Sequence, residues 1–540
     1  MIRSTFSGFN MATLALMANQ RALDVTGQNL SNINTEGYTR QRLDLTSLNP
    51  VGNSISSSSF DAKVGQGVLM TGVSQIRDPF LDIQYRNELP KLGTVDAKAG
   101  LLERIGNIFD ETDSEAIRSR MNAVVTQLTN LATPENAGSA SADALVRSAC
   151  EVLIDGFRQN GVATENVRNE LIDKMNQSVL PQIETYLSEI VNLNISIKNS
   201  QILGNPALEL QDQRNQMLDE LSTYMPIEVT YKDETLGGGI VVQTLDVKLK
   251  TADGQKTTII SDNKKGEFTF TENGDGTGLL EVKGALDGAQ PVDISAALGD
   301  GILKGNMDML NKSEAFDNPV TEEKGIGFYQ KTFDMFINEF ATKMNYLNSV
   351  RDEDGNVIEE RPLFTTLDGK TEGFTATNIR VSEGWITGQT KITLSNDANA
   401  GSTDYTNVLE MINHMSSDTI EFGIYKDVLD ADGNIVYEDD GVTPKQEFKA
   451  IFKGTLYECY NNIQNTQAIE RQAAESLLLN HQTVADQIAG ARDSVSGVSM
   501  DEETMDLMRF SQSYNAAARL MTTMDELLDK LINGTGVVGR

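Results

Sequence analysis

The side chains able to do chemistry are few. The 540 residues hold two histidines and two cysteines. His414 lies in Asn413-His414-Met415 and His481 in Asn480-His481-Gln482. Neither opens a His-Glu-x-x-His zinc motif, and no cysteine stands near either. Cys150 and Cys459 occupy apolar helical contexts and read as buried thiols; a pair of cysteines makes no disulfide framework. The run Gly237-Gly238-Gly239 is not followed by Gly-Lys-Ser/Thr, so it does not cradle a phosphate. Asp352-Glu353-Asp354-Gly355-Asn356 and Asp430-Ala431-Asp432-Gly433-Asn434 begin like calcium loops, but lack the glycine at position six and the acid at position twelve. Asp-Gly between Val/Ile-containing flanks predicts hairpin turns there instead. Asp212 and Arg214, within the helical stretch Leu208–Leu221, read as surface or capping charges. No cofactor, metal or catalytic constellation is expected.

Composition narrows the class further. The net charge of −33 disfavours nucleic acid and anionic membrane surfaces as partners. A hydrophobic content of 39% with 23% charged residues is that of a soluble protein, and the length allows three or four domains. No run of about 18 apolar residues predicts a membrane span. Asn10, Asn19, Gln20, Arg21 and Asp24 interrupt the N-terminal stretch, so it lacks the apolar core of a signal peptide.

The informative patterns are helical. Leu507, Phe510, Tyr514, Ala517, Met521, Met524, Leu528 and Leu531 step by three and four residues. That is a heptad seam, which needs a partner helix to cover it. Gly534 and Gly536 are expected to stop the helix, and Ser499 with Glu502 to form a capping box at its start. Near the N-terminus, Phe9, Leu16, Leu23 and Leu30 also repeat every seven residues, with Met11, Ala18 and Val25 as a parallel row. The stripe is wide enough to touch more than one neighbour. The two ends are therefore expected to pair. After Leu30, the turn rich in Asn, Ser, Thr and Gly from Ser31 to Gly37 predicts a helix stop followed by a strand.

That helix, the Asn-rich turn carrying Asn29, Asn32 and Asn34, and the Thr35-x-Gly37-Tyr38 signature with Arg40 beyond it resemble the bacterial flagellar rod, hook and hook-associated axial proteins. This chain has Glu36 where the family usually has Pro. The continuation Tyr38-Thr39-Arg40-Gln41-Arg42 is similar to the junction-forming, hook-associated branch. So are Ile76-Arg77-Asp78-Pro79-Phe80-Leu81, the Asp212-Gln213-Arg214 helix and Phe510–Arg519.

Between the ends, residues 49–60 read as a Ser- and Gly-containing linker, and 80 to about 223 as mostly helical. Stripes run through Leu101, Leu102, Ile105 and Ile108, then Met121, Val124, Val125, Leu128 and Leu131. A third passes through Ile183, Leu187, Ile190 and Ile197, interrupted by Asn194. Val242/Thr244/Asp246 and Thr257–Ile260 predict strands. Phe333, Phe336, Ile337, Phe340, Met344 and Leu347 predict a core helix, and 455–490 one long helix. The expected fold class is mainly α with β-rich insertions. A terminal coiled coil would span 1–60 with 500–540. A helical spine would span 61–226 with 311–350 and 451–499. Residues 227–310 and 351–450 would be β-rich insertions.

The resemblance implies a structural subunit at the hook–filament junction. It would be exported by the flagellar type III route without a cleaved signal and would form a ring of like subunits. Its implied partners are the hook protein, the second junction protein (hook-associated protein 3) and a dedicated export chaperone. A hook or distal rod protein, or a secreted adhesin on a flagellar scaffold, are the alternative readings. The long helical spine and the Asp-Gln-Arg helix argue against the first two.

Overall fold

The computed structural model describes residues 5–48, 67–109, 117–237, 239–274, 276–312, 324–352, 354–395, 404–428, 436–437 and 445–534. Helix α1 (Thr5–Ser31) and an antiparallel hairpin of β1 (Gln41–Ser47) and β2 (Val68–Gln75) lead into α2 (Pro79–Ile108). The helices α3 (Ile117–Leu131), α4 (Ala140–Lys174), α5 (Leu180–Ile202) and α6 (Leu208–Tyr224) follow. A π-turn, Met175–Val179, joins α4 to α5 without a break. Pro181 supplies the cause, since it has no N–H for the ordinary helical bond. The Leu180 amide reaches back to the Met175 carbonyl instead.

The chain then leaves for two antiparallel sheets. One has β3 (Ile227–Thr235), β4 (Val241–Lys250), β5 (Lys256–Ser261) and β6 (Lys264–Lys265) in that order. The other has β7 (Glu267–Glu272), β8 (Gly278–Lys283) and β9 (Pro291–Asp293). The core face of β4 is Leu245, Val247 and Leu249, the opposite side from Thr244 and Asp246. Helices α7 (Ile302–Asn311) and α8 (Ile326–Asn348) return to the bundle.

A second excursion contains the short strands β10 (Val350–Arg351), β11 (Val357–Glu359), β12 (Phe364–Thr366) and β13 (Ile379–Val381). It continues with helices α9 (Glu383–Ile386) and α10 (Thr406–Ser416), then the hairpin β14 (Ile420–Asp427) with β15 (Gln446–Gly454). Helix α11 (Leu456–Ser496) and α12 (Met500–Gly534) close the chain. The Asp352–Asn356 stretch forms the β10–β11 hairpin turn, with Gly355 at φ +86°. The Asp430–Asn434 loop, the 49–60 linker and Gly536 lie outside the described residues.

One continuous core runs through α2–α5, α7, α8 and α11. The Phe157 ring meets Phe333, Phe336 and Phe340 edge-on at 5.8–5.9 Å between centroids. Cys150 and Cys459 are buried in it as free thiols. Burial pushes the Cys459 thiol up to about 12 and Cys150 further in the same direction. Helix α8 also carries a polar stripe that the sequence pattern did not show. Asp334 accepts the Ala376 amide at 2.7 Å and Asn338 that of Phe374 at 3.0 Å. Asn345 accepts the Leu363 and Phe364 amides, and Asn348 donates to the Arg361 carbonyl. These four residues fasten the second excursion to the bundle.

Two of its titratable groups oppose each other. Burial raises the Asp334 carboxyl to about 6, so its stability contribution is complete below the ordinary value of 3.8 and is lost as pH rises through 6. Burial, with Lys343 nearby, lowers His414 to about 4; its contribution is present above 6.5 and is lost as pH falls through 4. Each shift corresponds to about 3 kcal/mol at most. Asp334→Asn keeps the acceptor for Ala376 and should stabilise this region by up to about 3 kcal/mol at pH 7–8. It should also expose an acid-induced loss below pH 6 that Asp334 otherwise offsets. Denaturant midpoints at pH 8 and pH 5, read from the fluorescence of Trp385, the chain's single tryptophan, check both signs. Equal midpoints for parent and variant at pH 8 would refute the assignment to Asp334.

Candidate functional site: the clamp between the two ends

Helices α1 and α12 pack against each other, antiparallel: Gly8 lies against the Met524 side chain and Asn29 against Glu503. Phe510, Tyr514, Met521, Met524 and Leu528 are half-buried and Ala517 is buried. The seam's ends differ, since Leu507 and Leu531 are exposed. On α1 the buried row is Gly8, Ala12, Ala18, Ala22, Val25 and Asn29, whereas Phe9, Leu16, Leu23 and Leu30 are only half-buried. The expected leucine row is therefore less buried than the small residues beside it, of which Gly8 meets Met524 of α12.

The Asn-rich turn completes this pairing. Ser31 and Asn32 side chains bond back to the Gly27 and Gln28 carbonyls and end α1. Thr35 Oγ1 donates to Asn32 Oδ1, and Asn34 is exposed. Gly37 has φ +76°, a conformation strained for other residues, and a Cβ there would stand 3.3 Å from Gln216 Oε1. Tyr38 then donates to Asn29 Oδ1 at 2.9 Å. Burial and the carboxylates of Glu209, Asp212 and Glu503 push the Tyr38 hydroxyl up.

Asn29 is the hub, only 1% exposed. Its Nδ2 donates to the Gln41 carbonyl (2.9 Å) and to Glu503 Oε2 (3.1 Å), while its Oδ1 also accepts the Gln41 amide (2.9 Å). Arg40 closes the other side: Nε meets Glu503 Oε1 at 2.6 Å and Nη1 meets Glu502 Oε2 at 2.5 Å. Its backbone N–H donates to the Ser496 carbonyl at the end of α11. Glu502, read from the sequence as half of a capping box, thus serves Arg40. The side chain of Glu503 is 2% exposed. Sequence reasoning missed Glu503, because a single acid in the first turn of a helix reads as a dipole charge.

A second tier ties this unit to the spine. Asp212 accepts from the Thr39 amide (3.0 Å) and hydroxyl (2.6 Å) and lies 3.7 Å from Arg77 Nη1. Burial raises the Asp212 carboxyl, against the pull of Thr39 and Arg77. Arg86 and Arg492 grip Asp219 at 2.6 and 2.7 Å, and Arg77 pairs with Asp82 at 2.6 Å. The reading of Asp212 and Arg214 as surface or capping charges is corrected here, since they are 6% and 1% exposed. Arg214 points the other way. It donates to Asn194 Oδ1 and Gln243 Oε1 and lies over the Tyr231 ring at 5.3 Å, so α5, α6 and the first sheet are joined through it. Burial lowers its basicity. Asn194, the polar break in its stripe, bonds in turn to the Asp262 carbonyl.

The site is an assembly of hydrogen bonds and ion pairs. Among the described residues no group of three His, Cys, Asp or Glu is placed to hold a metal, and no helix is long and apolar enough to cross a membrane. His481 pairs with Glu88 at 2.6 Å, linking α11 to α2, and His414 is a core residue of α10.

Three family models match parts of the chain. Residues 9–39 match the family model described as flagella basal body rod protein. Residues 102–356 match the flagellar hook-associated protein FlgK helical domain, and 492–534 the flagellar basal body rod FlgEFG protein C-terminal model. Flagellar hook-associated protein 1 of Bacillus subtilis is 28% identical across 99% of this chain and 100% of its own length. That of Escherichia coli is 23% identical across 97% and 99%. A solved flagellar hook junction protein FlgK from Burkholderia pseudomallei, 15% identical, superposes with a TM-score of 0.46 over 77% of this chain and 100% of its own. Both ends and the helical domain are thus matched by flagellar models, and over nearly its full length the chain is similar to relatives that share the name flagellar hook-associated protein 1.

Proposed function

We propose that this chain is a structural subunit of the bacterial flagellum that joins hook to filament, assembling through its paired terminal helices. The observation that carries this reading is the antiparallel α1–α12 unit, closed by Arg40 on Glu503 and fastened to the spine through Thr39 and Asp212. It is a rod built from both ends of the chain, with Met17, Met505, Met508, Leu520 and Leu527 exposed along it. Such apolar surface is suited to neighbouring subunits. In this reading the chain forms a ring of like subunits between the hook protein and hook-associated protein 3. It leaves the cell unfolded through the flagellar export channel, and a dedicated chaperone covers the α12 seam beforehand, binding it as a helix in a groove.

The test is complementation of a strain lacking its own hook-associated protein 1. Expression of the full chain should restore filaments by electron microscopy. A chain ending at residue 499 should leave bare hooks and bind no chaperone. Filaments restored by the truncated chain would overturn the proposal.

A further inference from the structure

The contact between α1 and α12 has a degeneracy built into it. Gly8 to Asn29 is a separation of 21 residues, as is Glu503 to Met524, so the antiparallel register holds over three heptads. That register sets Ala15 level with Ala517 and Ala22 level with Phe510. Both helices repeat every seven residues: Gly8, Ala15 and Ala22 on one, Phe510, Ala517, Met524 and Leu531 on the other. A slip of one heptad in either direction still places small residues opposite apolar ones. Apolar packing alone therefore discriminates poorly between the registers.

We propose that the buried Asn29–Glu503 pair is the register key of the terminal unit, making these two residues the specificity determinants of its pairing. Both are only 1% exposed. In the observed register Glu503 receives Asn29 Nδ2 on one oxygen and Arg40 Nε on the other. A slip one way sets Glu503 level with Ala22, buried with no donor. A slip the other way sets it level with Glu36, beyond the end of α1, and sets Asn29 level with Phe510. Each slip strands an acid or an amide that the observed register satisfies, and such a penalty is what converts a repeating seam into a single alignment. The inference concerns the pairing itself and holds wherever the protein acts.

The link Gly497–Ser499 between α11 and α12 is short and also restrains α12, so the experiment must separate the two. In the full chain the link is lengthened by about six Gly and Ser residues after Gly497, long enough to allow a one-heptad slip. Gly8→Cys is combined with Met524→Cys for the observed register, and with Ala517→Cys or Leu531→Cys for the slipped ones. The native Cys150 and Cys459 are buried. With Asn29 and Glu503 present, disulfide should form with position 524 and hardly at all with 517 or 531. With Asn29→Leu and Glu503→Leu, circular dichroism should still report the helices, while the ratio of observed to slipped cross-links falls by about tenfold or more. An unchanged ratio in the double variant, or slipping with both residues intact, would assign the register to other contacts and overturn the proposal.

Discussion

Met521→Asp combined with Leu528→Asp should open the terminal pairing and leave the spine folded. Both residues are half-buried on the α12 face that meets α1. Full burial of such a side chain is worth roughly 1.5–3 kcal/mol, and these partly buried ones somewhat less. Asp loses that contribution and places an unpaired charge in the seam, at a cost of several kcal/mol. Among the described residues the core cluster of the spine contains none from α12. The aromatic cluster of Phe157, Phe333, Phe336 and Phe340 is closed by α2, α4, α8 and α11. The main thermal transition should therefore stay in place, and the loss should fall on assembly: hooks without filaments, and flagellin released to the medium. A large drop in that transition would place the seam within the folding core. Normal filaments would remove the seam from assembly.

What the sequence disclosed follows from the range of each signal. The heptads and the apolar stripes repeat within one element, so α2, α5, α8, α11 and the inward face of α12 were legible in it. The turn after Leu30 was legible for the same reason, because Asn, Ser and Gly act on backbone within a few residues. Polar contacts between distant elements were not. Arg214 lies among exposed-looking neighbours such as Gln211, Gln213 and Gln216, and only the arrival of Asn194, Tyr231 and Gln243 shows that it is buried. The stripe Asp334, Asn338, Asn345 and Asn348 is masked by the phenylalanines between its members, since helical spacing reports which residues share a face but not what packs there. On α1 size favours the leucines as the most buried row, yet Gly8 and Ala22 are buried and Leu16 and Leu23 only half-buried, because α1 also meets the β1–β2 hairpin and heptad spacing does not report which neighbour covers which row.

The clamp allows a sharper test than deletion of either end. Arg40→Met removes the guanidinium that faces Glu503 and keeps most of the side-chain volume. Its contact with Glu502 matters little, because that carboxylate is 56% exposed and such pairs contribute about 0–1 kcal/mol. Glu503 is different: its side chain is 2% exposed, and losing one partner of a buried pair typically costs about 3–5 kcal/mol. The bond from Asn29 remains, but a neutral amide offsets only part of a buried charge. Arg40→Met should therefore speed hydrogen exchange of the α12 amides around residues 503–524, while amides of α8 and α11 keep their protection. Adding Glu503→Gln removes the stranded charge, and Asn29 can still bond its side-chain oxygen. The double variant should recover about half or more of the lost protection, although each single change weakens the unit. That non-additivity is the signature of a direct ion pair. If Arg40→Met leaves α12 exchange unchanged, the pair does not hold the ends together. If the double variant is as weak as the sum of the singles, the Arg40 side chain acts through Glu502 and through Asp506, whose Oδ2 lies 3.7 Å from its Nη2, and Glu503 serves α1 alone through Asn29.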